Sequence, residues 1–147
     1  MKIFIGTDHK GVKTLNEIVK YLSNLKIEVE DTKIEHNDND DYVDFAKEVC
    51  QKVLKNNNSF GILICGTGIG MSIAANKIKG IRAARCISKD DAFLTRTDND
   101  SNVLCLSSKI ELNTLKEIIN TFINTPFSNE ERHIRRVNKI KELENES

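Results

Sequence analysis

The chain has 147 residues, and its 22 basic side chains are balanced by 22 acidic ones. This length is sufficient for one domain with a hydrophobic core of its own. The neutral balance argues against nucleic acid or a membrane surface as the main partner, and no apolar stretch is long enough to cross a bilayer.

The hydrophobic pattern predicts strands and helices that alternate along the chain. Short apolar runs predict strands at residues 2–6, 27–31, 60–65, 80–86 and 102–106. Apolar residues three or four positions apart predict helices at 12–25, 44–55, 72–79, 89–97 and 112–123, followed after the only proline by a helix at 129–143. This alternation predicts a single α/β domain over residues 1–147, a Rossmann-like three-layer sandwich. We expect a five-stranded parallel sheet in the order 2-1-3-4-5, with helices on both faces and an extended C-terminal helix.

Two loops rich in reactive groups leave the first and third predicted strands. In this strand order the topological switch point lies between those strands, and such sheets bind ligands beyond the carboxyl ends of their strands. The first loop holds Asp8 and His9. The second begins at Cys65 and runs through the glycine-alternating residues 66–70 into the third helix. We therefore expect the two loops to form a binding site together.

The second loop predicts an anion-binding cradle with a thiol at its edge. Its glycines let backbone N–H groups converge on one small space, and the helix N-terminus adds partial positive charge there. A thiol in that place acquires thiolate character, so Cys65 is a candidate base or nucleophile. Without this context it would be a buried structural cysteine, as we expect of Cys50, Cys86 and Cys105. Their lack of C-x-x-C spacing disfavours disulfides and a metal site, and free thiols are typical of a cytoplasmic protein.

A dinucleotide-binding fingerprint is the alternative interpretation of the glycine loop. Met71 stands where the third glycine of G-x-G-x-x-G belongs, and 147 residues leave no room for a substrate domain. Asp90 is nevertheless at a distance suited to a ribose-binding acid, so the spacing alone leaves this alternative open. A P-loop is excluded, because no Gly-Lys-Ser/Thr follows.

The last predicted helix combines a basic start with a thin apolar stripe. Ser128 and Glu131 have the spacing of a capping box. Arg132 and Arg136 are one turn apart and could bind one phosphate together, although a solvated basic face is the common case. The narrow stripe leads us to expect that residues 129–143 pack on a partner subunit.

Several segments resemble the ribose-5-phosphate isomerase B family. They are Gly-Thr-Asp-His-Lys-Gly at 6–11, Cys-Gly-Thr-Gly-Ile-Gly and Ala-Ala-Asn-Lys within 61–77, Gly-Ile-Arg-Ala at 80–83 and Asn-Val-Leu at 102–104. Asp41-Tyr42 also matches, with Val43 in place of the family's proline. The resemblance implies a metal-free and cofactor-free enzyme of the non-oxidative pentose phosphate pathway, which interconverts ribose 5-phosphate and ribulose 5-phosphate through a cis-enediolate. It also implies a homodimer or homotetramer with active sites shared between subunits.

The resemblance implies a role for each candidate residue. Cys65 resembles the base that moves the proton between C1 and C2, and Asp8 and Thr67 resemble hydroxyl-binding and proton-relay groups. Asp98 stands where the family has a ring-opening histidine, and it is the catalytic candidate at that position. The implied substrate and phosphate ligands are His9, Gly66, Gly68, Ile69, Gly70, Asn99, Arg132, Arg136, His133, Tyr42 and Lys109, the last at a position that is commonly Arg.

Two other functions remain open on the sequence alone. The galactose-6-phosphate isomerase subunits share the scaffold and also lack that histidine, but they do not keep the Arg-His-x-x-Arg pattern of residues 132–136. A pentose phosphate is therefore favoured over galactose 6-phosphate or allose 6-phosphate. A non-catalytic phosphosugar-binding module is the alternative from another class; unlike an enzyme, it would not exchange a substrate C–H proton with solvent.

Overall fold

A computed structural model describes residues 1–146 as a parallel sheet covered by helices on both faces. The strands are β1 (Lys2–Thr7), β2 (Glu28–Asp31), β3 (Ser59–Cys65), β4 (Ala83–Arg85) and β5 (Val103–Ser107). The helices are α1 (Val12–Asn24), α2 (Tyr42–Lys55), α3 (Ile69–Asn76), α4 (Lys89–Asn99), α5 (Leu112–Asn124) and α6 (Glu131–Leu143), and a single 3-10 turn, His9–Gly11, precedes α1. The predicted α/β class and the alternation of elements are confirmed.

The order of the strands is β2-β1-β3-β5-β4, and all the pairings are parallel. The predicted order 2-1-3-4-5 is therefore wrong in its last two positions. The reason is burial: every residue of β5 is buried, whereas β4 has only three residues and none of them is fully buried. A strand that is apolar on both faces belongs inside a parallel sheet, and a short, half-exposed strand fits its edge. The switch point between β1 and β3 is unaffected.

β4 is shorter than the predicted strand at 80–86, and side-chain amides bind the backbone on its flank. The Asn102 side chain accepts a hydrogen bond from the Arg82 N–H and donates one to the Gly80 carbonyl, while the Arg82 carbonyl accepts the N–H groups of Asn102 and Val103. The Asn76 side chain bonds both the N–H and the carbonyl of Ala83, at 2.8 and 2.9 Å. The end of α3 thus caps the outer edge of the sheet, which protects it from pairing with another chain.

The two faces of the sheet have separate hydrophobic clusters. Ile62 and Ile64 of β3 pack on the α1 and α5 side, and Leu63 and Cys65 pack on the α2 and α3 side. This alternation follows from the two-residue period of a strand. It places the Cys65 side chain on the face that α3 covers.

The last helix begins at Glu131, two residues later than predicted, and the capping box does not form. Asn129 has a left-handed φ of 58°, so α6 cannot extend towards the N-terminus through this residue. The Ser128 hydroxyl accepts the Glu130 N–H and contacts His133 Nδ1 at 2.6 Å. Among the helices of residues 1–146, none combines the length and the apolar character that a bilayer crossing requires.

Candidate active site

The carboxyl ends of β1 and β3 bring the two predicted loops together. Thr7 pairs with Ile64 in the sheet, so the residues that follow each strand emerge side by side. A Cβ on Gly11 would clash with the Thr7 hydroxyl and with Ile64, which shows how tightly the 3-10 turn sits on these two strands. The Lys10 side chain reaches within 3.8 Å of where a Cβ on Gly66 would lie, so the first loop borders the glycine loop.

Cys65 ends β3 and is only 5% exposed. Its sulfur accepts the Gly68 N–H at 3.1 Å, and a backbone N–H aimed at sulfur stabilises negative charge there. Gly68 has a left-handed φ of 78°, and a Cβ on it would lie 3.0 Å from the Leu106 backbone carbon. Glycine is therefore required for the turn that points this N–H at the thiol. α3 begins at the next residue and directs its N-terminus towards the same loop.

The other three cysteines are buried in the core, as predicted, and all four cysteines are free thiols. Burial raises the pKa of the Cys50 and Cys86 thiols to about 12. Burial also raises the pKa of Cys105 well above its ordinary value. These thiols stay protonated at neutral pH and are chemically inert, so Cys65 is the one suited to act as a base.

The glycine loop is fixed by groups that the sequence did not single out. The Ser107 hydroxyl donates to the Gly66 carbonyl at 2.7 Å, and Arg85 Nε donates to the Thr67 carbonyl at 2.8 Å. No signal in the sequence identifies Ser107, because it pairs with Cys65 only in the observed order, in which β5 lies beside β3. Thr67 Oγ1 accepts the Ile69 N–H, which leaves its hydroxyl hydrogen available to a ligand.

Tyr42 and Lys109 also border this loop. A Cβ on Gly70 would lie 2.6 Å from Tyr42 Cζ, so the absence of a side chain on Gly70 lets the tyrosine ring lean on the start of α3. Lys109 is exposed just beyond β5, and its N–H donates to Ser107 Oγ, the hydroxyl that holds the glycine loop.

The first loop presents Asp8 and His9. Asp8 is 7% exposed, and its carboxylate accepts the Lys10 N–H at 3.1 Å, which caps the 3-10 turn. His9 Nδ1 lies 2.6 Å from Asp40 Oδ1, in the Asn- and Asp-rich loop before α2. Burial raises the pKa of Asp40, but hydrogen bonds from the His9 ring, the His9 backbone and the Asn37 N–H outweigh it and hold that pKa below its ordinary value.

The remaining candidates form a second group around α4 and α6. His133 is 5% exposed; its Nδ1 contacts the Ser128 hydroxyl and its Nε2 lies 3.5 Å from Asp98 Oδ1. Arg132 and Arg136 are exposed on α6, and Asn99 is exposed at the end of α4. No hydrogen bond or ion pair within residues 1–146 joins this group to Cys65.

Comparisons with known proteins find sugar phosphate isomerases of similar sequence and fold. The Ribose/Galactose Isomerase family profile matches residues 3–140. A ribose 5-phosphate isomerase from Thermotoga maritima is 45% identical, with a TM-score of 0.90 over 96% of this chain and 97% of that one. Ribose-5-phosphate isomerase B from Mycoplasma genitalium, solved with bound ribulose-5-phosphate, is 41% identical, with a TM-score of 0.92 over 99% and 97% of the two chains. Ribose-5-phosphate isomerase B of Escherichia coli is 39% identical over 97% of this chain and 96% of its own.

Proposed function

Because the chain belongs to the ribose/galactose isomerase family, we propose that it interconverts ribose 5-phosphate and ribulose 5-phosphate in the non-oxidative pentose phosphate pathway. The Cys65 sulfur, held by the Gly68 N–H at the edge of the glycine loop, is the observation that carries this proposal. Proton transfer next to a carbonyl needs a base and a stabilised enediolate, and a thiolate beside converging backbone N–H groups supplies both. The relative solved with ribulose-5-phosphate supports the same substrate class.

The proposed reaction moves one proton between neighbouring carbons of the open-chain sugar. The Cys65 thiolate removes the proton from C2 of the aldose, and the C–H electrons form the C1–C2 double bond as negative charge moves to O1. The N–H groups of residues 66–70 stabilise this enediolate. Thr67 and Asp8 move the hydroxyl proton from O2 to O1, and the Cys65 thiol returns its proton to C1. The C2 carbonyl of the ketose forms and the thiolate is restored.

We further propose that the enzyme is a homo-oligomer in which Arg132, Arg136 and Asp98 complete the site of a neighbouring subunit. Exposed apolar side chains on α4 and α6 support a homo-oligomer. Phe93 and Leu94 on α4 are at least half exposed, and Leu143 at the end of α6 is 62% exposed. Such exposure is typical of surfaces that pack on another chain.

Mixing two inactive variants tests the shared site. Cys65→Ser removes the base, and Arg132→Ala combined with Arg136→Ala removes the phosphate ligands. If the sites are shared, a mixed dimer carries both defects in one site and none in the other, so unfolding and refolding the two variants together should restore activity. Mixtures that stay inactive although mixed oligomers are detected by native mass spectrometry would contradict the shared site.

We propose that the enzyme works in the cytoplasm, because a thiol base must stay reduced and all four cysteines are free.

The substrate is tested by a coupled assay over five- and six-carbon aldose phosphates, including galactose 6-phosphate and allose 6-phosphate. We expect the highest kcat/KM for ribose 5-phosphate, with exchange of a substrate C–H proton into heavy water. A preference for a six-carbon sugar phosphate would replace the pentose assignment, and binding without exchange would identify a non-catalytic module.

A further inference from the structure

A carboxylate from the loop between β2 and α2 holds the ring of His9. Asp40 Oδ1 lies 2.6 Å from His9 Nδ1 and accepts the His9 backbone N–H at 3.0 Å. The Asp40 side chain is only 4% exposed, so water has little access to the pair from the carboxylate side. We propose that Asp40 is a positioning residue for phosphate recognition, which fixes His9 as a cationic ligand with its Nε2–H left for a phosphate oxygen. This inference rests on the proposed function.

Counting hydrogens on the imidazole leads to this assignment. An ionised carboxylate only accepts hydrogen bonds, so the nitrogen that faces Asp40, Nδ1, carries a hydrogen. Nε2 has no hydrogen-bond partner within residues 1–146. Phosphate oxygens are acceptors as well. A ring that bridges Asp40 and a phosphate therefore needs a hydrogen on both nitrogens, which makes it the imidazolium; a neutral ring would turn the Nε2 lone pair towards the phosphate.

The charge of Asp40 favours the imidazolium. Hydrogen bonds from His9 and Asn37 hold the pKa of Asp40 below its ordinary value despite burial, so the carboxylate is ionised at neutral pH. A negative charge 2.6 Å from Nδ1 stabilises the positive ring, and charge-assisted hydrogen bonds are stronger than neutral ones. Asp40 thus offsets part of the cost of keeping His9 charged in a half-buried site.

The loop that carries Asp40 is anchored before any ligand binds. Asp40 Oδ2 accepts the Asn37 N–H at 3.3 Å, and the Asp40 N–H donates to the Asn37 carbonyl at 3.0 Å. His36 Nε2 contacts the Thr7 carbonyl at 2.9 Å, and the His36 ring stacks on Phe45 with centroids 5.1 Å apart. These contacts tie the loop to β1 and α2. The carboxylate is therefore positioned without a further ordering step, which is what a supporting residue needs.

Asp40→Asn separates the charge of Asp40 from its shape. Asparagine keeps an oxygen that can accept the His9 backbone N–H, but it cannot pair with an imidazolium as an anion. We expect KM for ribose 5-phosphate, and Kd for inorganic phosphate by calorimetry, to rise roughly tenfold, because a hydrogen bond to a charged group contributes on that scale. The change in kcat should stay below about threefold, since the phosphate is bound equally in the ground and transition states. Asp38→Asn, exposed in the same loop, is the matched control and should change neither constant.

A double-mutant cycle distinguishes positioning from loop structure. In a His9→Ala background, Asp40→Asn should have little further effect on phosphate binding. A similar loss in that background would mean that Asp40 only shapes the loop, and it would overturn the proposal. Unchanged KM and Kd in Asp40→Asn alone would do the same.

The protonation of the His9 ring can also be measured in the unmodified protein, so this test does not depend on how the variants fold. With inorganic phosphate bound, the nitrogen NMR shifts of the His9 ring should show hydrogen on both nitrogens. A neutral ring in that complex, or no phosphate binding, overturns the proposal. A protein that binds phosphate with a cationic His9 but does not isomerise ribose 5-phosphate would refute the proposed function and leave the role of Asp40 standing.

Discussion

Replacing the Cys65 thiol by a hydroxyl removes the proposed base with little effect on the fold. Serine is nearly isosteric, and its oxygen can still accept the Gly68 N–H that the sulfur accepts at 3.1 Å. The free energy of unfolding should therefore fall by only about 1 kcal/mol, the scale of one altered hydrogen bond. A serine hydroxyl is not ionised at neutral pH, so kcat should fall on the order of 10²–10⁴, which corresponds to about 2.7–5.5 kcal/mol in activation free energy.

The buried cysteines provide matched controls, because replacing them should lower stability and leave kcat unchanged. Cys86 is 1% exposed and Cys50 is fully buried, and neither thiol hydrogen-bonds to residues 66–70 within the described part of the chain. Cys50→Ser and Cys86→Ser each place a hydroxyl in the core, so we expect a loss of about 1–3 kcal/mol in stability and an unchanged kcat. Iodoacetamide should inactivate the wild type by alkylating Cys65, with inorganic phosphate slowing the reaction.

Two measurements test whether Cys65 is the base. Initial rates from the coupled assay give kcat, and urea unfolding gives the free energy of unfolding for all three variants. A Cys65→Ser enzyme with near-normal kcat refutes the assignment of the base. An equal loss of kcat in Cys86→Ser would show that the defect comes from packing and not from the missing thiolate.

Further predictions concern the phosphate ligands, ring opening and acid stability. Arg132→Ala should raise KM for ribose 5-phosphate roughly tenfold or more, whereas Lys139→Ala on the same exposed helix should not; equal effects would indicate a general electrostatic field. Asp98→Asn should slow turnover of ribose 5-phosphate at least about tenfold but affect C–H exchange of ribulose 5-phosphate less, and Asp98→His should match or exceed the wild type; a neutral Asp98→Asn would identify a turn former. Hydrogen bonds from Lys52 and Lys2 lower the pKa of Glu30 below its ordinary value, so its stabilising effect is present above the pKa of the unfolded chain and is lost as the pH falls through the folded-state pKa. Glu30→Gln should therefore lower Tm slightly at neutral pH, and the difference from wild type should vanish in acid.

The site residues that directly follow a strand could be predicted from sequence, because hydrophobic runs and glycines are local signals. Cys65 and the Gly68 turn follow directly from such a run. The order of β4 and β5 could not be predicted in the same way, since it depends on which strand is buried on both faces. The helix pattern of α6 was likewise visible, but its first residue depends on the left-handed Asn129 and on the contact between Ser128 and His133.

Asp40 shows why supporting residues escape a sequence-based analysis. It lies 31 positions from His9 in a loop with several other acids and amides, and nothing in its spacing distinguishes it from Asp38. Only the fold places its carboxylate on the imidazole. A motif identifies groups that must touch the substrate, whereas the partners that set their charge are chosen by tertiary proximity.

The resemblance to the ribose-5-phosphate isomerase B family implies a histidine where this chain has Asp98, and the surroundings of Asp98 define what a carboxylate can do there. Opening a furanose needs a base for the anomeric hydroxyl and an acid for the ring oxygen, and an ionised aspartate can only accept a proton. Its Oδ1 is occupied, because it accepts the Thr97 hydroxyl at 2.8 Å and faces His133 Nε2 at 3.5 Å. Oδ2 of Asp98 has no hydrogen-bond partner within residues 1–146, and the Asp98 side chain is 42% exposed, so this oxygen can serve as the base. The acid must then be a second group or water, which is why a histidine at this position, able to accept and donate, should not be slower than the native aspartate.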